Sequence, residues 1–287
     1  MRQDAIHVAS NDHLMRGEGG HRPQRECPDI VESMATSDSL EKALRAAVHE
    51  DSSVRQRAAL YLGIHADDSV ARELVSLLIS EPDFYVRETL TWAVVTRADA
   101  TYPLLVEALQ DTGRERVQVL HALSKIRRPE SVAQILPLVD DPDEHVAARA
   151  RWALGRTATP GAVSALIDHL GEQEDFSRRE LTRALEQAGA AAVDGLAARL
   201  VEATEPSVRS HAAEVLVGIG DPGARPAADA LVHALEHDDK QVVVPAMEAL
   251  ATLDVPGVDE RLTRLREGED QWLSITAGWL LEDRARR

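Results

Sequence analysis

Aromatic residues are scarce, with four Trp, three Tyr and two Phe among 287 residues. Hydrophobic residues still make up 44% of the chain. Ala, Leu and Val therefore carry the apolar weight, which favours helices over sheets. Cysteine is nearly absent. A lone Cys27 forms neither an intramolecular disulfide nor a multi-cysteine metal site, as expected in a reducing compartment. Positive charge is in deficit, with Lys+Arg at 32, Asp+Glu at 49 and a net charge of −17. That balance speaks against a general polyanion binder, because phosphate backbones are held by Lys and Arg. No apolar run approaches the roughly 18 residues of a membrane span, and no signal-peptide core is present. The composition predicts an acidic, helical, cytoplasmic protein with no membrane association.

Residues 1–36 carry Gly17, Gly19, Gly20, Pro23 and Pro28 and almost no apolar periodicity. Such a segment buries too little surface to offset its chain entropy, so a disordered leader is expected there. His7, His13, His21 and Cys27 match no metal-ligand spacing.

Residues 37–287 repeat themselves. SVRQRAALYL (53–62), YVRETLTWAV (85–94), FSRRELTRAL (176–185) and SVRSHAAEVL (207–216) share one frame. Extended to every copy, the frame ends on Leu62, Val94, Leu123, Leu154, Leu185, Leu216, Leu250 and Leu280, at intervals of 32, 29, 31, 31, 31, 34 and 30 residues. A period this narrow marks stacked repeats rather than two globular domains. Each copy reads as two helices. The first helices contain LEKALRAAV, VARELVSLLI, YPLLVEALQ, VAQILPLV, AVSALIDHL, VDGLAARLV, AADALVHALE and VDERLTRLR. An acid stands four residues before an arginine at Asp51/Arg55, Asp83/Arg87 and Glu205/Arg209. It is placed to cap the second helix. The arginine recurs as Arg55, Arg87, Arg116, Arg178 and Arg209, and an Asp–Arg ladder between neighbouring copies is expected.

The period, the paired helices and the pattern D-x-x-V-R-x-x-A-x-x-A-L resemble HEAT repeats of the short phycobilisome-lyase-like variety, over roughly residues 38–284. EPDFYVRETLTWAV followed by LHALSKI is also similar to bacterial (actinobacterial) HEAT proteins. The resemblance implies an all-α fold, a right-handed α-solenoid of about eight helix pairs, with an armadillo-like superhelix. It also implies that the second helices line an extended concave surface. Fold alone assigns no function.

On each second helix the anchor and the positions one, four and eight before it cluster on one apolar side. Positions two, five, six and nine before it point away. Copy two there presents Tyr85, Glu88, Thr89 and Trp92, and copy three presents Arg114, Val117, Gln118 and His121. Copy four presents His145, Ala148, Arg149 and Trp152, and copy five presents Phe176, Arg179, Glu180 and Arg183. Four Arg face two Glu on this strip, and Arg57 extends it. Aromatic and Arg side chains are the usual anchors of binding surfaces. The candidate groove is Tyr85, Trp92, Arg114, His121, His145, Arg149, Trp152, Phe176, Arg179 and Arg183. The competing reading packs Trp92 and Trp152 between neighbouring repeats. Trp272 and Trp279 fall at apolar positions of the frame ending on Leu280 and are expected to cap the solenoid.

Enzymatic readings find little support. The HEAT-type di-iron deoxyhypusine hydroxylase uses several His-Glu pairs, whereas His49-Glu50 is the single such pair here. HEAT-like DNA glycosylases use aromatic and acidic residues in a cationic cleft, which the net charge opposes. Bilin lyases share the repeat type. No G-x-x-x-x-G-K, G-x-S-x-G or H-E-x-x-H occurs, and His233 and His237 fit a solvated helix end better than a metal site. The expectation is a non-catalytic scaffold without cofactor or metal, whose concave face holds a protein or peptide partner of acidic character. The alternative is a small molecule or modified nucleobase in the same groove, with or without catalysis. Nucleic acid is not expected as a partner, and no sequence feature fixes an oligomeric state.

Overall fold

The computed structural model describes residues 37–110, 115–236 and 239–287. Among them sixteen α-helices follow one another, without a strand. They form eight pairs. The first four are α1 (Ser37–Ala46) with α2 (Ser52–His65), α3 (Ala71–Ser80) with α4 (Phe84–Val95), α5 (Ala98–Ala108) with α6 (Glu115–Ile126), and α7 (Val132–Ile135) with α8 (Glu144–Thr157). The remainder are α9 (Pro160–Ile167) with α10 (Asp175–Ala188), α11 (Ala190–Glu202) with α12 (Pro206–Ile219), α13 (Ala228–Ala234) with α14 (Lys240–Thr252), and α15 (Val258–Arg266) with α16 (Gln271–Arg284). The second helices of consecutive pairs pack in sequence from α2 to α16, and first helices such as α3 and α5, or α9, α11 and α13, pack in a second layer. Leu40–Arg287 forms one unit. The expected leader 1–36 lies outside the described residues. The eight pairs form an all-α solenoid, as the period predicts.

Acidic caps start the second helices. Asp51, Asp83, Asp143, Glu174, Asp239 and Asp270 each accept a first-turn backbone N–H of the helix that follows. This satisfies donors that the helix itself leaves free. Glu205 makes no such bond, and Pro206 follows it at a position where no N–H is missed. Proline also shortens one first helix. Pro137 lies in the 3-10 turn Leu136–Leu138 that follows the four-residue α7.

The arginine ladder is built differently from expectation. Arg55 makes a two-pronged pair with Glu81 of the next repeat, at 2.9 and 2.7 Å, and donates to the carbonyls of His49 and Glu50. Arg116 likewise joins Asp141 at 3.0 Å and the Leu109 carbonyl. In the fourth repeat Arg151 takes this place, pairing with Glu172 at 2.8 and 2.7 Å and with the Val139 carbonyl. In these three the acids are the residues two before each cap, because the caps' own carboxylates are committed to their helices, whereas Arg178 pairs with Glu214 within the next second helix at 2.6 Å. Glu81 and Asp141 also accept the N–H of the cap residue itself. Each guanidinium thereby ties the end of its own first helix to the turn of the next repeat.

The seams between second helices are made of small side chains. Ala58, Ala150, Ala212, Ala246 and Ala277 are buried four before the anchors, and Ala93, Ala122, Ala153, Ala184 and Ala249 one before them. Ala277 fits this column when the eighth anchor is Leu281, eleven residues after its cap, as in the other capped second helices. The frame ending on Leu280 is one residue early. At Gly155 the seam is closed by backbone, because a Cβ there would lie 2.1 Å from the Ala184 carbonyl oxygen. Gly155→Ala is therefore expected to lower stability by about 1–3 kcal/mol through overpacking, against a helix-propensity gain of up to about 1 kcal/mol. Gly161→Ala, where nothing lies within 4 Å, should leave stability unchanged or raise it. Thermal melts of the two variants check this, and equal effects would contradict a tight seam.

Candidate functional site

Helices α6, α8 and α10 enclose a hollow of about 460 Å³ on the outward side of the second-helix layer. Val117, His145, Ala148, Arg149, Trp152, Phe176, Glu180 and Arg183 line it. Every one occupies an outward position of copies three to five. His145 meets Phe176 edge to face, with ring centroids 5.8 Å apart. The hollow thus has an aromatic wall from α8 and α10 and two guanidiniums beside it.

Charge around the hollow is wired across three repeats. Glu88 of α4 accepts from Lys125 at 3.0 Å, and its other oxygen lies 2.9 Å from His121 Nε2. Arg149 reaches the opposite ring nitrogen of His121 at 3.5 Å. Burial pushes the His121 pKa down, with Arg149 and Lys125 adding to it against the pull of Glu88. A neutral ring that carries its proton on Nε2 satisfies both neighbours. Burial also works against the charge of Arg149, which Glu180 and Glu88 support. Burial would raise the Glu88 carboxyl, but its bond to Lys125 and the His121 ring hold it below the usual range. Arg183 pairs with Glu180 at 2.6 Å and remains exposed. Arg149 is thus held on the hollow floor while Arg183 stands on the rim.

The structure brings together His145, Arg149, Trp152, Phe176 and Arg183, with His121 behind Arg149. It separates three others. Tyr85 is 70% exposed at the start of α4, beside Phe84. Trp92 is 43% exposed, with its ring over Gly63 of α2, where a Cβ would lie 2.1 Å from the ring. Part of that indole therefore fills the seam between repeats one and two. Arg179 is exposed and does not line the hollow. Arg114 lies outside the described residues.

Two features depart from the sequence reading. Glu180, expected on the outward strip but not in the candidate groove, lines the hollow and holds Arg183. In addition, Trp272 and Trp279 are 62% and 66% exposed, with Ile275 at 41%, so they are not buried beneath a cap. With the eighth anchor at Leu281, these three stand nine, two and six residues before it, all outward positions. The Asp270 cap was the signal that could have corrected the frame. A hollow of about 570 Å³ beside them is lined by Lys240, Glu269, Asp270, Gln271, Trp272 and Ile275. Among the described residues no group of three or more His, Cys, Asp or Glu could hold a metal ion, and no helix is long and apolar enough to cross a membrane. His237 lies outside the described residues, while His49 accepts the Asp51 N–H at 3.0 Å.

Paired helices at this period define a helical-repeat protein, and the family model for HEAT repeats matches residues 25–95, 97–186 and 193–282. The chain belongs to the HEAT-repeat family. No curated protein matches it. It is similar to the crystal structure of an engineered protein at 22% identity, covering 86% of this chain and 78% of that one, with a TM-score of 0.38. It is also similar to human deoxyhypusine hydroxylase in complex with glycerol at 19% identity, covering 87% and 97%, with a TM-score of 0.37.

His211 stands five before the sixth anchor, an outward position, yet it is fully buried. Its Nδ1 accepts the Gly171 N–H at 3.1 Å and its Nε2 lies 2.9 Å from Thr182 Oγ1. Burial, with Arg178 adding, pushes its pKa from 6.5 down to about 3. Between those values the unfolded chain binds the proton and the folded chain does not, so stability falls as pH falls. Wild type should lose about 1.4 kcal/mol per pH unit below the unfolded pKa, relative to His211→Gln, whose amide can serve both neighbours. Urea unfolding at about pH 7 and about pH 5 reads this difference. Parallel pH dependences would refute it.

Proposed function

We propose that this protein is a non-catalytic scaffold whose hollow on α6, α8 and α10 binds an acidic segment of a protein partner. The observation that carries this reading is the placement of Arg149 and Arg183 beside Trp152 and Phe176 around one hollow, in a chain of net charge −17. Guanidiniums recognise carboxylates with directional, two-pronged bonds. The rings offer apolar area at little entropic cost. The ligand this favours carries Asp or Glu next to a large apolar side chain. Phosphate-rich nucleic acid is a poorer fit because the remaining surface repels it.

A second reading rests on size. The hollow falls within the roughly 300–1,000 Å³ range of small-molecule sites, so an anionic small molecule or modified nucleobase is the alternative occupant of the same residues. Tyr85, Trp92 and Arg179 then serve as a wider contact surface for a protein partner and not for a small ligand.

The probe is a fluorescein-labelled peptide of alternating Asp and Phe, compared with its Lys-for-Asp counterpart, by fluorescence anisotropy. The Asp peptide should bind and weaken with added salt, while the Lys peptide should not bind. Arg183→Glu and Trp152→Ala should each cost on the order of 2 kcal/mol in affinity, and Arg183→Glu should leave the melting temperature unchanged. Equal binding of both peptides, or no loss in Arg183→Glu, would overturn the reading. Binding of indole-3-acetate at the hollow without any peptide binding would favour the small-ligand alternative.

A further inference from the structure

The outward face of α16 carries a stripe that no other described element covers. Trp272, Ile275 and Trp279 recur at helical spacing on one side of the helix, and all three are exposed. Two aromatic side chains of about 150–250 Å² each, more than half exposed, form a patch as large as those that mark contact sites on soluble proteins.

The charges flanking the stripe say what covers it. Glu269 stands before the helix and Arg286 after it. Both are exposed, and neither makes an ion pair among the described residues. Two copies of α16 laid antiparallel about a two-fold axis near the helix centre bring Glu269 of each over Arg286 of the other. A parallel arrangement would set like charges against each other. In the antiparallel register Trp279 of one copy falls over Ile275 and Thr276 of the second. That is the edge of the hollow lined by Lys240, Glu269, Asp270, Gln271, Trp272 and Ile275.

We propose that α16 is a self-association surface, pairing antiparallel with α16 of a second copy through Trp272, Ile275 and Trp279. The contact is isologous, so one surface serves both partners and the assembly closes at two. The stripe supplies roughly half of the ~800 Å² per partner of a standard interface. The dimer is therefore of modest affinity, with a dissociation constant on the order of micromolar. The proposal is independent of the ligand of the α6–α8–α10 hollow, which this pairing leaves untouched.

Sedimentation velocity of the full chain over about 1 to about 100 µM tests it. Wild type should pass from monomer to dimer across that range, and Trp272→Ala/Trp279→Ala should remain monomeric with an unchanged circular-dichroism melt. Glu269→Arg and Arg286→Glu should each weaken the dimer by about tenfold or more, because a like charge then faces a like charge twice. The two changes combined should restore it. A wild type that is monomeric throughout would overturn the proposal and leave the stripe to another occupant, such as residues 1–36 or a different protein. A dimer that survives loss of both indoles would also overturn it. Charge changes that add instead of compensating would overturn the antiparallel register.

Discussion

The close approach of consecutive second helices is the constraint on which the rest of the molecule depends. Alanine recurs one and four before most anchors, and glycine stands where even a methyl group would strike the neighbour, as at Gly155 against Ala184. Helices whose contact faces are this small pack with their axes near the lower limit of helix spacing. Large side chains then have no room in the seam and are expelled to the outward face. Trp152 and Phe176 line an open hollow for that reason. Trp92 shows the intermediate case, since Gly63 opens one notch in the seam and the indole enters it in part.

The seam fixes the distance between repeats, and the turn arginines fix their relative register. Arg55, Arg116 and Arg151 each bind carbonyls near the end of their own first helix and the carboxylate of the following turn. A largely buried guanidinium left without its carboxylate is costly, so sliding of one repeat past the next is opposed at each such turn. Charge serves geometry here.

The same division explains the outward face. Between α4 and α10 the acids are engaged, Glu88 by Lys125 and His121 and Glu180 by Arg183, which leaves Arg149 and Arg183 to define the hollow. Beyond it the face changes character. His211 turns inward to satisfy the Gly171 N–H and Thr182, and Glu214, paired with Arg178 at 2.6 Å, and Glu248 follow at the outward positions. Burial, with Glu214 nearby, raises the Glu248 carboxyl. The two exposed indoles of α16 stand past these positions.

Periodicity in the sequence was enough to determine the helix pairs, their number, the first seven buried anchors and the outward positions that line the hollow. One apolar face per helix admits a single stacked arrangement, and the caps recur as local backbone chemistry. The choice of ladder acid was not legible, because Asp51 and Glu81 are equally acidic and their partners are decided by which groups the folded turn brings within reach. The burial of His211 was equally invisible, since its outward position is overruled by an unpaired N–H on a neighbouring turn. The eighth repeat sat between the two cases, with Asp270 present in the sequence and the apolar look of Trp272 and Trp279 pointing the other way. Local patterns thus set which elements form and which faces they bury. Which of several chemically equal side chains meet was left to tertiary structure, because such meetings depend on distances between repeats that no single repeat contains.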